Sequence, residues 1–253
     1  MSPEAVSHSM LGMRLDAVAP ATYVDAIVGG AERGEAFYCC VANVHMCVLA
    51  HDEPDFRAVV NGARFVIPDS TILQKARSLR YGAPSIPTLR GAEMMLELVR
   101  VAAGRGVKIG LVGGRDDETL ALLIARLRDI APDVDIAYAY SPPFRPLTEQ
   151  EDAALVEDIR ASGARLIFVG LGCPKQERWM AAHVERVPAV MIGVGAAFDF
   201  NAGVVRTSPE WVHKAGLEWL YRMSQEPKRL WRRYFSTSPR FVGLLLLDAV
   251  RRR

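Results

Sequence analysis

Residues 165–177 read RLIFVGLGCPKQE, and this stretch decides the fold class. Residues 166–169 are all apolar, which is typical of a strand that is buried on both faces of a sheet. Gly170 and Gly172 then form a turn, and Pro174 suits the first position of a helix, where its missing N–H group costs nothing. We therefore predict a strand over residues 165–169 and a helix over residues 174–186.

The same order of strand, turn and helix recurs along the chain. Further strands are predicted over residues 37–44, 64–67, 107–112, 134–140 and 189–194. Further helices are predicted over residues 71–80, 88–103, 116–130 and 148–162. Continuous apolar strands that alternate with helices mark a parallel sheet covered by helices on both faces. The sequence thus predicts an α/β fold with a mostly parallel sheet.

The composition indicates a globular chain. Of the 253 residues, 50% are hydrophobic and 24% are charged, which excludes a disordered protein. The longest uncharged apolar run near the end, residues 241–247, is far shorter than the roughly 20 residues that span a bilayer. Residues 1–5 lack a basic segment followed by an apolar one, so we expect no secretory signal.

The charge is unevenly distributed. Residues 214–253 carry ten Lys and Arg against three Asp and Glu, a net charge of +7, whereas residues 1–213 carry −5. Such a basic tail suits an anionic partner, which could be a membrane, a nucleic acid or a phosphate, but it also suits a solvated helix face. Because aromatic residues and arginines take over near Ser208, we predict a main domain over residues 1–207 and an appendage over residues 208–253.

Parallel sheets bind ligands beyond the carboxyl ends of their strands, so the turns that follow the strands are the candidate site. In the turn that leads to Glu177, a helix N-terminus offers amide groups and a positive dipole to an anion, with Lys175 and Gln176 as further contacts. The alternative is a tight turn that places Glu177 favourably in the first helical turn.

Two carboxylates follow other strands. Asp69 comes directly after the second predicted strand, and it is either a general base or the N-cap of the next helix. Asp199 follows a glycine turn after the last strand, where it could contact a ribose or sugar hydroxyl. The pair Gly113-Gly114 is a weaker turn of the same kind and lacks the GxGxxG spacing of dinucleotide-binding proteins.

No metal site is expected from the sequence. Asp133-Val134-Asp135 has the acid-x-acid pattern of some metal sites, but it precedes a strand and so lies at the wrong edge of the sheet. The histidines form no metal-binding motif. The cysteines lack zinc-ligand spacing, and the first three are expected to be buried as small apolar residues in a reducing cytoplasm. These cysteines are Cys39, Cys40, Cys47 and Cys173.

Several blocks of sequence together resemble the WecG/TagA/CpsF glycosyltransferases (family GT26). The resemblance covers about residues 10–235, and its specific blocks are PKQE at 174–177 and GLEWLYR at 216–222. The other blocks, in chain order, are Asn43, Ile67-Pro68-Asp69, Leu111-Val112-Gly113-Gly114, residues 170–173, residues 193–199 and Pro227-Lys228-Arg229.

This resemblance implies an inverting enzyme that moves a sugar from a UDP-sugar to a polyprenyl-diphosphate-linked sugar. It implies a Rossmann-like domain with a C-terminal appendage, no metal or other cofactor, and no nucleic acid as a partner. The expected location is cytoplasmic, peripherally associated with the inner face of the cytoplasmic membrane. Asp69 would be the catalytic base.

The turn chemistry, the basic tail and the resemblance together indicate binding residues. Those expected to bind the UDP donor are Asn43, Gly113, Gly172, Lys175, Gln176, Gly195 and Asp199. Those expected at the diphosphate or the membrane are Arg222, Lys228, Arg229, Arg232 and Arg233.

The sequence departs from the family pattern at three places. Val41 stands where Thr is frequent, Ser70 where Gly is frequent, and Pro142-Pro143-Phe144 replaces a Gly-Tyr-Phe turn. The prolines resemble the GumM-like exopolysaccharide branch, and they leave the donor sugar open between glucose and N-acetylmannosamine.

Two other classes of function are alternatives. A dinucleotide-binding oxidoreductase would need GxGxxG after its first strand and an acid about 20 residues later, and neither is present. A non-catalytic membrane adaptor would use only the basic tail and would leave Asp69, Gln176 and Asp199 without a role.

Overall fold

The protein is built on one parallel sheet with a layer of helices on each face. The computed structural model describes residues 6–84, 86, 90–209, 211–212, 217–225 and 227–251. The strands are β1 (Val6–Met10), β2 (Met13–Ala17), β3 (Phe37–Ala42), β4 (Phe65–Pro68), β5 (Ile109–Gly113), β6 (Ile136–Tyr140), β7 (Leu166–Gly170) and β8 (Val190–Gly193). The helices are α1 (Pro20–Glu32), α2 (Val44–Asp52), α3 (Pro54–Gly62), α4 (Thr71–Tyr81), α5 (Gly91–Gly104), α6 (Asp117–Ile130), α7 (Glu149–Ser162), α8 (Lys175–His183), α9 (Ala197–Asn201), α10 (Glu218–Gln225) and α11 (Pro227–Arg251).

The sheet has the strand order β4-β3-β8-β7-β5-β6, and every neighbouring pair is parallel. Successive side chains of a strand point to opposite faces, so the buried central strand β7 supplies both cores. Ile167 and Val169 pack into one apolar cluster, and Leu166 and Phe168 pack into the other. The α/β, Rossmann-like arrangement predicted from the sequence is confirmed.

The N-terminal hairpin and the first three helices were not predicted. β1 and β2 pair antiparallel outside the main sheet, and both turn residues between them have positive φ. The buried carboxylate of Asp16 on β2 accepts hydrogen bonds from the Val66 amide (2.7 Å) and the Ser7 hydroxyl (2.6 Å). Asp16 therefore satisfies a backbone donor of the edge strand β4, a tertiary role that strand periodicity does not reveal.

Some predicted boundaries are wrong for local reasons. The strand predicted over residues 37–44 ends at Ala42, because Asn43 is the N-cap of α2 and its Oδ1 accepts the Met46 amide at 3.1 Å. Pro174 is the N-cap of α8 rather than its first residue, and α8 ends at His183 instead of Arg186. Residues 88 and 89 of the helix predicted over 88–103 lie outside the described residues.

The C-terminal helix α11 packs on the body of the protein. Phe241 is buried in the core, and Arg240 on the same helix forms an ion pair with Asp52 of α2 at 2.7 Å. Further along, Asp248 pairs with Arg80 of α4. In the described part of the chain, none of the helices is long and apolar enough to span a membrane. The division into residues 1–207 and 208–253 stays a prediction.

Candidate active site

A cavity of about 720 Å³ lies at the carboxyl edge of the sheet. Its lining comes from the turns after β3, β4, β5, β7 and β8, so it lies where parallel sheets bind ligands. Of the residues predicted as the site, the lining contains Asn43, Asp69, Gly172, Gln176, Gly195, Asp199 and Arg222. The fold thus brings together residues that are up to 179 positions apart in the sequence.

Asp69 is held by a distant part of the chain. The N-cap of the following helix α4 is Ser70, and not Asp69. Instead, Asp69 Oδ1 accepts a hydrogen bond of 2.7 Å from the backbone amide of Gly91, the first residue of α5. The N-cap alternative for Asp69 is therefore wrong, and its carboxylate lies oriented in the cavity.

In the turn after β7 and the first turn of α8, neighbouring residues form hydrogen bonds with one another. Gln176 Oε1 accepts the Gly172 amide at 3.1 Å, and Gln176 Nε2 donates to Glu177 Oε1 at 2.7 Å. Gln176 is 3% exposed and Glu177 is 0% exposed. Because Gly172 has given its N–H group to Gln176, this amide is not one of those that the helix N-terminus can offer to an anion.

Two residues predicted to bind the donor lie outside the lining. Gly113 has φ +134°, and a Cβ atom there would lie 2.6 Å from the backbone of Gly170. The close approach of β5 and β7 therefore explains this glycine, while its neighbour Gly114 lines the cavity. Lys175 is exposed on α8 and is not part of the lining.

Asp199 lies against an arginine that the sequence analysis missed. The residue Asp199 is 7% exposed, and its Oδ2 accepts a hydrogen bond of 3.1 Å from Arg115 Nη2. Arg115 follows Gly113-Gly114 directly after β5 and lines the cavity. The position of Arg115 at the carboxyl end of a buried strand was the sequence signal that could have identified it.

Further arginines lie at the cavity. The Arg222 guanidinium lies over the Phe200 ring at 5.1 Å from its centroid. Arg90 Nε donates a hydrogen bond to Glu93 Oε1 at 2.8 Å, and Arg90 Nη1 donates one to the Ser208 carbonyl oxygen at 3.2 Å. Lys228 is exposed and lies outside the lining. The side chains of Arg229, Arg232 and Arg233 lie outside the described residues.

The sequence matches the model of the glycosyl transferase WecG/TagA/CpsF family over residues 8–253, nearly the whole chain. The chain belongs to this family. It is accordingly a glycosyltransferase, which uses a sugar donor and an acceptor. Membership in the GumM-like branch stays a prediction.

For a glycosyltransferase, the cavity holds suitable functional groups. A carboxylate such as that of Asp69 can take a proton, the Gln176 amide can bind a ligand oxygen, and a guanidinium can bind phosphate oxygens in pairs. Phe144, 81% exposed at the cavity rim, follows β6 at the sheet edge opposite to Asp69. It lies in the turn where the sequence departs from the family pattern.

Other predicted features lie away from the cavity. Asp135 directly precedes β6, so it lies at the amino ends of the strands, away from the cavity. Its Oδ2 atom is 3.8 Å from Lys108 Nζ. Among the described residues, no group of three or more His, Cys, Asp or Glu side chains could hold a metal ion. Cys39, Cys40 and Cys47 are buried as predicted. Burial raises the pKa of the Cys40 thiol, and the Glu177 carboxylate raises it further.

Proposed function

We propose that this glycosyltransferase moves a sugar from a UDP-sugar to a polyprenyl-diphosphate-linked sugar, with inversion at the anomeric carbon. The observation that carries the proposal is the Asp69 carboxylate, which lies in the cavity at the carboxyl edge of the sheet. The sequence resemblance, which implied a base at this position, supports the same role.

In the proposed reaction, Asp69 takes the proton of the acceptor hydroxyl while that oxygen attacks the anomeric carbon. The bond from this carbon to the UDP oxygen breaks on the opposite face, and UDP leaves with the bonding electron pair. The hydrogen bond from Gly91 fixes one carboxylate oxygen of Asp69, so that its orientation is set before the substrates bind.

The diphosphate that leaves carries negative charge, which positive groups must stabilise in the transition state. We assign this role to Arg222, because its guanidinium lines the cavity and is oriented by the Phe200 ring. The α8 N-terminus is a weaker candidate than the sequence suggested, since the Gly172 amide bonds Gln176.

The sugar end of the donor must reach Asp69, so the nucleoside extends toward the other strands. Asp69 follows β4 and Phe144 follows β6, at opposite ends of a six-stranded edge that measures roughly 24 Å at ordinary strand spacing. We therefore place the ribose beside Asp199 and the uracil toward Phe144.

The acceptor carries a long lipid, and the end of α11 offers a surface that suits a membrane. Exposed apolar side chains recur along it at helical spacing, and Lys and Arg precede and follow them in the sequence. These side chains are Val242, Leu246, Leu247 and Val250. Apolar residues flanked by basic ones favour the headgroup region of an anionic bilayer. We place the enzyme peripherally on the inner face of the cytoplasmic membrane.

The proposal is tested with a panel of UDP-sugars and a short-chain polyprenyl-diphosphate-sugar acceptor, read by mass spectrometry. We expect one UDP-sugar to add one hexose or N-acetylhexosamine mass to the acceptor, and we expect calorimetry to show UDP binding. No transfer from any UDP-sugar, together with no binding of UDP, would contradict the proposal.

A further inference from the structure

Glu177 is a buried carboxylate that the reaction proposed above does not use. It is the third residue of α8, a position where acidic side chains usually face solvent and favour the helix dipole. Here the residue is 0% exposed. Burying a carboxylate is costly unless hydrogen bonds compensate for the lost water, so its contacts indicate what it does.

The contact of Glu177 with Gln176 leaves only one orientation for the Gln176 amide. The Gly172 amide can only donate, so the Gln176 atom at 3.1 Å from it must be the oxygen. An ionised Glu177 can only accept, so the Gln176 atom at 2.7 Å from it must be the nitrogen. A flipped Gln176 amide would oppose donor to donor at one end and acceptor to acceptor at the other.

The backbone of β8 leaves room for the amide in this position. A Cβ atom at Gly193 would lie 2.9 Å from Gln176 Nε2, closer than real Cβ atoms approach other atoms. At Gly195, a Cβ atom would lie 3.5 Å from Gln176 Oε1. The amide of Gln176 is therefore held by Glu177 and Gly172 in a slot beside two glycines, at the wall of the cavity.

We propose that Glu177 is a positioning residue, which fixes the Gln176 amide so that Gln176 binds an oxygen of the nucleotide-sugar donor. Gln176 Nε2 carries two hydrogens. Glu177 accepts one of them, and the other is donated to the donor molecule in the cavity. This inference rests on the proposed function, because it assigns the ligand of the cavity as a UDP-sugar.

The experiment measures UDP affinity by calorimetry, and kcat and KM for the donor, in four variants. They are Gln176→Leu, Glu177→Leu, the double variant and Glu177→Gln. We expect Gln176→Leu and Glu177→Leu each to weaken UDP binding or raise the donor KM roughly 5- to 10-fold, the value of one ordinary hydrogen bond. We expect the double variant to equal Gln176→Leu, because Glu177 acts only through Gln176.

Glu177→Gln retains an oxygen that can accept from Gln176, so we expect it to recover most of the affinity. The matched control is Glu149→Leu, the same change in the first turn of α7, where the side chain is exposed and no effect is expected. Thermal melts by circular dichroism identify any variant that fails to fold, and Glu177→Gln then decides, because it keeps the size of the side chain.

The outcomes separate the two proposals. If the wild-type protein binds UDP but Glu177→Leu changes neither the UDP affinity nor the donor KM, the positioning role is wrong. The positioning role is also wrong if the losses of the two single variants add in the double variant, or if Glu177→Gln binds no better than Glu177→Leu. If the wild-type protein does not bind UDP and uses no UDP-sugar, the proposed function is wrong, and the assignment of Gln176 to this donor falls with it.

Discussion

The carboxylate of Asp69 accepts a 2.7 Å hydrogen bond from the backbone amide of Gly91, 22 residues further along the chain. This bond joins the end of β4 to the start of α5 at the cavity wall. It uses one of the amide groups that a helix N-terminus leaves without an intrahelical partner. The side chain of Asp69, which the local sequence allowed to be a helix N-cap, is thereby oriented toward the cavity.

Asp69→Asn is expected to lower kcat about 10²- to 10⁴-fold, the usual contribution of a general base, with little change in melting temperature. The asparagine oxygen can still accept from Gly91, so the fold is retained while the proton acceptor is lost. Turnover in the sugar-transfer assay is compared with that of Asp117→Asn, an exposed acid in the first turn of α6. Near-normal turnover of Asp69→Asn would show that Asp69 is structural.

Arg222→Ala is expected to lower kcat/KM for the donor about 100-fold, because a group that stabilises the charge of the leaving diphosphate is lost. Arg222→Lys should recover only part of the activity, since an ammonium group cannot bind two phosphate oxygens side by side. Lys228→Ala, an exposed residue outside the cavity lining, is the control. Equal effects of Arg222→Ala and Lys228→Ala would contradict the assignment.

Excess EDTA is expected to leave sugar transfer unchanged, because we assign the charge of the diphosphate to Arg222. Initial rates are measured with and without EDTA and after addition of Mg²⁺ or Mn²⁺. Loss of activity in EDTA and its recovery with either ion would overturn this prediction and would direct attention to Asp133 and Asp135.

Binding to lipid vesicles tests whether the exposed apolar side chains of α11 contact a membrane. Replacing Leu246, Leu247 and Val250 together by Ser is expected to weaken binding to vesicles that contain anionic lipid at least tenfold, since each buried CH₂ group contributes about 0.8 kcal/mol. Point variants are preferable to truncation at Glu226, because truncation removes the buried side chains Leu230 and Phe241. Such a truncation would disturb the core.

The control for this triple variant is Leu122→Ser, another exposed apolar residue, on α6. Wild-type binding should also weaken as salt is raised, because the basic residues contribute to it electrostatically. Vesicle binding that neither the triple variant nor salt reduces would exclude this surface.

The lowered pKa of the Asp152 carboxyl predicts that the protein loses stability in acid. Burial raises the pKa of its carboxyl, but hydrogen bonds from His183 (2.8 Å) and Arg186 (2.9 Å) outweigh burial, and the pKa is lowered overall. A carboxyl whose folded-state pKa is lowered stabilises the fold fully above its unfolded pKa of about 3.9, and this contribution is lost as the pH falls through the lowered folded-state pKa.

We therefore expect Asp152→Asn to lower the melting temperature at pH 7, with the difference from wild type narrowing as the pH is lowered from about 5 to below about 3. Melts by circular dichroism across this range measure it, and Glu157→Gln, on the exposed side of α7, is the control. A difference that is constant with pH would show that the ion pairs of Asp152 do not carry the effect.

Much of the fold and part of the site were determined by the sequence alone. Uncharged apolar strands such as residues 166–169 cannot lie at a solvated surface, so they require a sheet covered on both faces. Once the sheet is parallel, the turns after the strands must meet at one edge. Asp69, Gln176 and Asp199 could therefore be predicted as neighbours of one cavity.

The tertiary structure decided which of these residues contact one another, because such contacts depend on the order of the strands. Arg115 and Asp199 are 84 positions apart and meet only because α9, which carries Asp199, packs against α6, the helix that follows Arg115. The local sequence gave Asp69 the properties of a helix cap and Glu177 those of a solvated acid. Only the hydrogen bond from α5 orients the first toward the cavity, and only the packing of α8 on the sheet buries the second. Periodicity encodes which face is apolar but not which element covers it.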